Sequence, residues 1–412
     1  MNPAASRFEG LECLRCGAQF TEPAMWEGCP VCRDGDWAAN LVASYDLTGI
    51  ASHWDRGDGP GPWRYRPVLP VVDESVHLTL GEGDTPLVRL APTAGWDNLW
   101  LKDERANPTW SYKDRLNVVA VAKGVELGAK VVGVSSSGNH GASASAYAAR
   151  AGLATAAFTR DDVDPVTATF MQVYGATVVM TSSRGRWRFL SQGVRRRGWY
   201  PVSTYTPVPT GNPYGVEGYK VVAFEIFAQL GVPDVVVVPT CYGEGLAGIW
   251  AGFDLIRTIG LTDATPRMVA VEPALGGPLS AAYDAGADRV PVLDPYPTIA
   301  GSIASTVSTD RGLLTVQRSR GAALRVGDEE MTASQHDLAR AGIFLEVAGA
   351  AGHSALPAIA ARLDVDPASA VCVVIGTAGG LREVRRLGGR MPPVRVVAAD
   401  ADLDLATMEG GR

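Results

Sequence analysis

The sequence predicts an α/β protein of two lobes, each a parallel sheet covered by helices, with a small cysteine-rich ribbon at the N-terminus. Three observations carry that prediction. Continuous Val/Ile runs such as Val235 to Val238 alternate with helical segments, the pattern of strands buried on both faces. The alternation comes in two series, one from about Val131 and one from about Gly215, which suggests a cleft between two units. Two Cys-x-x-Cys pairs precede both series.

Taken in order, the ribbon comes first. Cys13 and Cys16 sit in CLRC, and Cys29 and Cys32 in CPVC, with Gly17 and Pro30 suited to the tight turns of such knuckles. Two knuckles this close put four thiolates where a tetrahedral Zn²⁺ can collect them. A reducing compartment disfavours the alternative of two disulfides. Four cysteine ligands leave no open position, so the zinc would be structural. From about Tyr45 to Leu80 the chain is rich in Gly, Pro and Trp, and DRGDGPGPW marks a linker or wrapping arm. A strand is expected at 131–134, a helix over 142–150, strands at ATAAF and ATVVM, and an Arg-rich helix ending at Arg197. The second series gives a helix from Gly215 through Leu230, strand DVVVVP, a helix over 246–259 and strand RMVAVEP. A last strand at 370–376 precedes a Gly-Gly turn, a basic helix and an acidic tail from Met391. Cys241 and Cys372 lie in apolar contexts and read as small core residues.

Composition narrows the function classes. Over 412 residues, 46% hydrophobic and 20% charged is the balance of a packed globular chain, not a disordered one. With 37 basic against 44 acidic residues the net charge is -7, which argues against nucleic acid or an anionic membrane as partner. MNPAASRFEG lacks the basic start and apolar run of a signal peptide, and no apolar stretch reaches membrane-spanning length, so the cytoplasm is the expected compartment.

Four segments carry chemistry. In Asn107-Pro-Thr-Trp-Ser-Tyr-Lys113-Asp-Arg115 the lysine is either an ion-paired residue or, in a low-dielectric cleft, an amine of depressed pKa able to form a Schiff base. Ser135-Ser-Ser-Gly-Asn139-His-Gly141 follows a strand and opens a helix, where backbone N–H groups converge on an anion. Cys241-Tyr-Gly243-Glu-Gly245 repeats that layout as a candidate phosphate cradle. Gly376-Thr377-Ala-Gly379-Gly380 is a third strand-end turn. Ligands of open α/β sheets bind at the carboxyl ends of strands. One lysine, one anion loop and one phosphate loop suit a phosphorylated aldehyde cofactor. The remaining histidines, His53, His77, His336 and His353, lack a ligand-like spacing and read as structural.

KDERANPTWSYKDR, SSSGNHGASASAYAARAG, GNPYGVEGYKVVAFEIFAQLGVPDVVVVP and TAGGLRE together resemble the threonine synthase branch of the tryptophan-synthase-β (fold type II) pyridoxal-phosphate enzymes. The likeness runs from about Gly81 to Arg385 and includes the opening Gly81-Glu-Gly-Asp-Thr85-Pro86-Leu; some threonine synthases also carry a paired Cys-x-x-Cys ribbon. It implies pyridoxal 5'-phosphate held by Lys113, which then moves protons at Cα and Cβ. Asn139 would bond the ring hydroxyl, and Ser136, Ser137, Gly138 and His140 would grip the substrate carboxylate. Gly243, Glu244, Gly245, Leu246 and Ala247 would hold the cofactor phosphate. Thr377 would face the pyridine nitrogen, leaving it largely unprotonated and suited to elimination and replacement at Cβ. Tyr112 would pack beside the cofactor, and Trp110 would be a substrate-shaping wall or plain packing. The implied layout is a ribbon over 1–44, an arm and the start of the large lobe over 45–108, a small mobile lobe over 109–212, a large cofactor lobe over 213–400 and a tail over 401–412. A homodimer acting on a small amino acid is the expected assembly.

Departures bear on the substrate. Threonine synthases typically carry an arginine where this chain has Gly215, and that arginine binds the substrate's phosphate. His140 stands where they have Thr or Ser, as in serine and threonine dehydratases, and Trp110 stands at a common glycine. The cradle has changed from Gly-Asn-x-Gly-Asn to Cys241-Tyr-Gly-Glu-Gly245. Arg184, Arg186 or Arg188 could replace the missing guanidinium, although such a cluster is more often a solvated helix face. The expected reaction is elimination, or elimination and replacement, at Cβ or Cγ; the alternatives are threonine synthase itself on O-phosphohomoserine and a dehydratase-like ammonia-lyase.

Overall fold

A computed structural model describes residues 5–388 apart from 56 and 58; the acidic tail expected from Met391 lies outside the described residues. Strands β1 (Phe8–Cys13), β2 (Gln19–Phe20) and β3 (Leu41–Tyr45) form an antiparallel sheet in the order β2-β1-β3. Short 3₁₀ turns carry the Gly/Pro-rich arm, whose Trp54, Trp63 and Tyr65 are buried against the main core. β4 (Leu87–Arg89) and β5 (Asn98–Asp103) follow, then α1 (Lys113–Glu126).

The next stretch builds a four-stranded parallel sheet: β6 (Val131–Ser135), α2 (Asn139–Arg150), β7 (Ala154–Arg160), α3 (Pro165–Val173), β8 (Thr177–Thr181), α4 (Ser183–Arg197) and β9 (Tyr200–Pro201), in the order β8-β7-β6-β9. The chain then returns through α5 (Lys220–Leu230), β10 (Val235–Pro239), α6 (Glu244–Thr258), β11 (Arg267–Pro273), α7 (Pro278–Asp284), α8 (Asp310–Arg318) and β12 (Ala322–Val326). It ends with α9 (Asp328–Arg340), α10 (Val347–Ser354), α11 (Leu356–Leu363), β13 (Val371–Gly376) and α12 (Val384–Gly388). The larger sheet runs β12-β11-β10-β13-β5-β4, parallel except for the edge pair β4–β5. Val235, Val236 and Val237 have no accessible surface, as a parallel strand covered on both faces requires.

Several elements differ from expectation. α2 and α6 begin at Asn139 and Glu244, earlier than the Ala-rich and Leu-rich stretches suggest, because Gly138 and Gly243 serve as their N-caps. The helix expected from Gly215 is 3₁₀ over Gly215–Tyr219 before α5 begins. α7 to α11 and β12 were not anticipated; in that stretch Gly and Ala interrupt the apolar runs.

Candidate functional site

Three strand ends meet around one lysine. Lys113 opens α1, half-buried, and its Nζ donates to the Tyr219 hydroxyl at 3.2 Å with the Tyr112 ring centroid 4.9 Å away. The turns after β6, β10 and β13 all reach the same cleft, which is lined by Lys113, Ser135 to Ser137, Asn139, His140, Thr240 to Leu246 and Thr377. This is the place where an open α/β sheet binds ligands.

Backbone pairing locks the lysine's segment to one of those turns, the one after β13, and ties that turn to Glu346. Tyr112 N donates to Thr377 O at 2.9 Å, Gly379 N to Trp110 O at 2.9 Å, and Glu346 N to Ala378 O at 3.0 Å. Just inside, Asp114 accepts from Thr109 Oγ1 and from Ser143 Oγ, both at 2.6 Å, tying α1 to α2. Arg115 is fully buried and bidentate to Glu225, with further bonds to both Glu104 oxygens at 3.0 and 2.8 Å. Thus the aspartate after Lys113 takes a hydrogen-bonded structural role and the arginine an ion-paired one, while the lysine itself stays in the cleft.

The turn expected to cradle a phosphate depends on two glycines. Gly243 adopts φ +85°, and a Cβ there would lie 2.9 Å from Gly312 Cα. A Cβ on Gly245 would come within 2.6 Å of the Tyr112 ring. The first turn of α6 therefore presents N–H groups that have no helical acceptor, at the positive end of the helix dipole. Glu244 is buried with its carboxylate against Gly211, where any Cβ would overlap it. Its charge is felt by the buried guanidinium of Arg311.

Electrostatics correct one expectation. Burial works to lower the Lys113 ammonium, but Tyr112, Tyr219 and Glu244 outweigh it and hold its pKa above the ordinary lysine value, not below. His140 is pushed down to about 3 by burial and by Lys113, so its imidazole is neutral. Asn139 Nδ2 donates to both Glu346 oxygens, at 2.9 and 3.0 Å, and burial beside Glu383 raises that carboxyl to about 7.

Comparison with known proteins agrees with this geometry. Residues 78–376 match the model of the family described as "Pyridoxal-phosphate dependent enzyme". The threonine synthase of Methanosarcina acetivorans is 32% identical over 361 residues, 84% of this chain and 85% of that protein. That of Methanocaldococcus jannaschii is 34% identical over 335 residues, 78% and 81% of the two chains. This chain belongs to the pyridoxal-phosphate-dependent enzymes, on their threonine synthase-like branch. Solved structures of similar fold include maize serine racemase, with a TM-score of 0.63 and 19% identity over 74% of this chain and 92% of that one. A fungal L-serine ammonia-lyase from Rhizomucor miehei has a TM-score of 0.62 and 19% identity over 73% and 97%.

As a member of this family the chain has a cleft that fits its cofactor. It offers a half-buried amine for an aldehyde, a glycine-built N-terminus for a phosphate, a side-chain amide at Asn139 and a buried hydroxyl at Thr377. Trp110 does not line it. That residue is 38% exposed, takes a left-handed φ of +59° and packs edge-on to Phe170 with centroids 5.6 Å apart. The glycine common in the family at this position is explained, since a bulky residue there is strained. Gly138 and Ala247 also stand back from the lining, Gly138 as the cap of α2 and Ala247 one turn into α6. Cys372 is core as expected, but Cys241 lines the cleft because it is the second residue beyond β10.

Sequence reasoning missed Glu346, Tyr219 and the 302–304 loop, all of which line or border the cleft. Tyr219 lies inside the quoted GNPYGVEGYK segment and was within reach; Glu346 and the loop sit in the stretch whose elements were not anticipated.

At the other end of the chain the four ribbon cysteines form one cluster, with every pair of Sγ atoms within 4.8 Å. Cys13–Cys32 are 3.7 Å and Cys16–Cys29 3.8 Å apart. A tetrahedral ion with bonds of about 2.3 Å to sulfur requires S···S edges of about 3.8 Å. The ribbon docks on α8: Arg15 pairs with Asp310 at 2.7 Å, and Arg318 donates to Leu14 O at 3.0 Å. Among the described residues, no helix is long and apolar enough to cross a membrane.

Proposed function

We propose that this enzyme catalyses elimination, or elimination followed by replacement, on a small amino acid with a leaving group at Cβ or Cγ. The observation that carries the reading is the convergence of three strand-end turns on Lys113. When bound, pyridoxal phosphate supplies a conjugated ring that accepts the electron pair released at Cα. Lys113 would bond to its aldehyde and, once displaced by substrate, carry the proton between Cα and Cβ. Backbone N–H groups over 136–140 would hold the substrate carboxylate. Those over 243–247 would hold the cofactor phosphate. Asn139, oriented by Glu346, would meet the ring hydroxyl. Thr377 would face the ring nitrogen with a hydroxyl, which favours elimination over transamination. The ribbon would hold a structural Zn²⁺, and a cytoplasmic homodimer completes the proposal.

Threonine synthase activity itself is a second reading, supported by relatives of that name at 32% and 34% identity over most of both chains. The deciding experiment is a visible spectrum of the purified protein during addition of phosphohomoserine, serine, threonine and phosphoserine. A cofactor band is expected that Lys113→Ala abolishes and that a β-substituted amino acid shifts. Release of phosphate and threonine from phosphohomoserine selects threonine synthase. A band untouched by every amino acid overturns the elimination reading.

A further inference from the structure

Arg184, Arg186 and Arg188 share α4, yet the structure separates them. Arg184 and Arg188 are exposed; Arg186 is half-buried and lines the cleft, as does Arg160 at the end of β7. Among the described residues no carboxylate pairs with Arg186 and no hydrogen bond reaches its side chain, whose Nε is buried without an acceptor. Arg160 is bound to the exposed Asp162. A guanidinium that has lost part of its hydration without gaining a carboxylate is an unfilled anion site.

Position 215, where the family's arginine is expected, contributes no cation here. A Cβ at Gly215 would lie 3.0 Å from both Leu116 Cγ and Ala120 Cβ, tight against α1. The charged and titratable groups facing Arg186 are Arg160, Asp162, Tyr242 and Cys241. With Asp162 committed to Arg160, the local balance is positive.

We infer that Arg186, backed by Arg160, is the anion-recognising subsite of this cleft and selects an amino acid whose side chain ends in a tetrahedral oxyanion. The inference rests on the elimination reading for the source of that oxyanion. Free phosphate presents the same chemistry, and the test separates the two. In β-elimination the Cα proton passes to Lys113, the Cα–H electron pair becomes the Cα–Cβ double bond, and the C–O bond breaks with its pair leaving on the oxyanion; an oxyanion on Cγ leaves after Cβ has also given up a proton. Arg186 binds the charge both before and after that event.

The test uses cofactor-loaded protein, in which the cradle is already filled. Inorganic phosphate binding is measured by calorimetry for the native protein, Arg186→Gln, Arg160→Gln and the exposed control Arg188→Gln. Cofactor-band titrations compare phosphoserine with serine, and phosphohomoserine with homoserine. Arg186→Gln should weaken phosphate and both phosphorylated amino acids about tenfold or more, as loss of a charge-assisted bond predicts. Serine and homoserine should be unchanged, Arg160→Gln should give a smaller loss, and Arg188→Gln none. Equal losses for both members of a pair overturn the inference, as does unchanged phosphate binding. Loss of the cofactor from Arg186→Gln overturns it in favour of a cofactor-phosphate role. If phosphate binding depends on Arg186 while no amino acid moves the band, the anion site stands and the elimination reading falls.

Discussion

At the scale of single residues, Glu346 and Gly215 make opposite demands on the space around the site. Glu346 is 5% exposed, and burial with Glu383 nearby raises its carboxyl to about 7 from 4.5. A carboxyl raised on folding contributes stability that is fully present below about pH 4.5 and is lost as pH climbs through about 7. Glu346→Gln keeps an acceptor for Asn139 but removes that loss. The variant should therefore gain on the native protein between about pH 5 and pH 8, by up to about 3 kcal/mol. Thermal unfolding of both proteins across that range is the check; a constant difference would show that Glu346 does not titrate there. At Gly215 the contacts with Leu116 and Ala120 make even a Cβ tight. Gly215→Arg, the substitution that restores the family's residue, should cost about 1–3 kcal/mol through overpacking and bring no gain for phosphohomoserine. Tighter binding of that compound by a stable variant would refute this.

Among the elements, α1 carries the site because its first turn is anchored by charge. Arg115 satisfies Glu104 and Glu225 together, Glu225 is held down at about 2 by Arg115 and Lys102 despite its burial, and Lys102 itself is fully buried. Arg115→Met leaves two buried carboxylates with one lysine between them and should cost about 3–5 kcal/mol. Denaturant unfolding measures this; a loss under about 1 kcal/mol would mean the network relaxes around the gap. The strands of this architecture were legible because a strand covered on both faces reads as an unbroken run, as Val235 to Val238 does. The strand-end loops were legible for a related reason: small residues crowd where backbone must face a ligand. The stretch from α7 to α11 was not. Its helices other than α9 are short, and α10, which begins beside Glu346, is too small in its side chains to show a period. Trp110 was misplaced because sequence proximity to Lys113 says nothing about a left-handed backbone that turns the side chain outward. Arg186 was only one of three equivalent arginines until α4 acquired a buried side.

For the molecule as a whole, a short chain of contacts runs from the ribbon to the cleft. Arg15, between the first two cysteines, grips Asp310 at 2.7 Å; Asp310 opens α8. Thr309, the cap of that helix, donates through its backbone N and its hydroxyl to Tyr242 O at 2.9 and 2.5 Å. Tyr242 is the residue before Gly243, whose backbone packs against Gly312 of the same helix. The ribbon therefore holds the helix against which the phosphate cradle is built. On the proposal that the ribbon holds zinc, a ribbon with only five buried core residues of its own, closed over by Tyr214, would depend on that metal for rigidity. Removing the metal with a chelator should loosen Arg15 from Asp310 and let the cradle relax, so cofactor affinity falls several-fold while the two larger sheets stay folded. Arg15→Ala should reproduce that loss with the metal still bound. Cofactor titration followed by absorbance, beside far-ultraviolet circular dichroism, separates the cases. If metal-free protein and Arg15→Ala both bind cofactor as tightly as the native form, the ribbon is docked on the enzyme without supporting its site. If only the metal-free protein weakens, the support runs through the ribbon's other contacts with α8, Leu14 with Arg318 and Asn40 and Leu41 with Arg311.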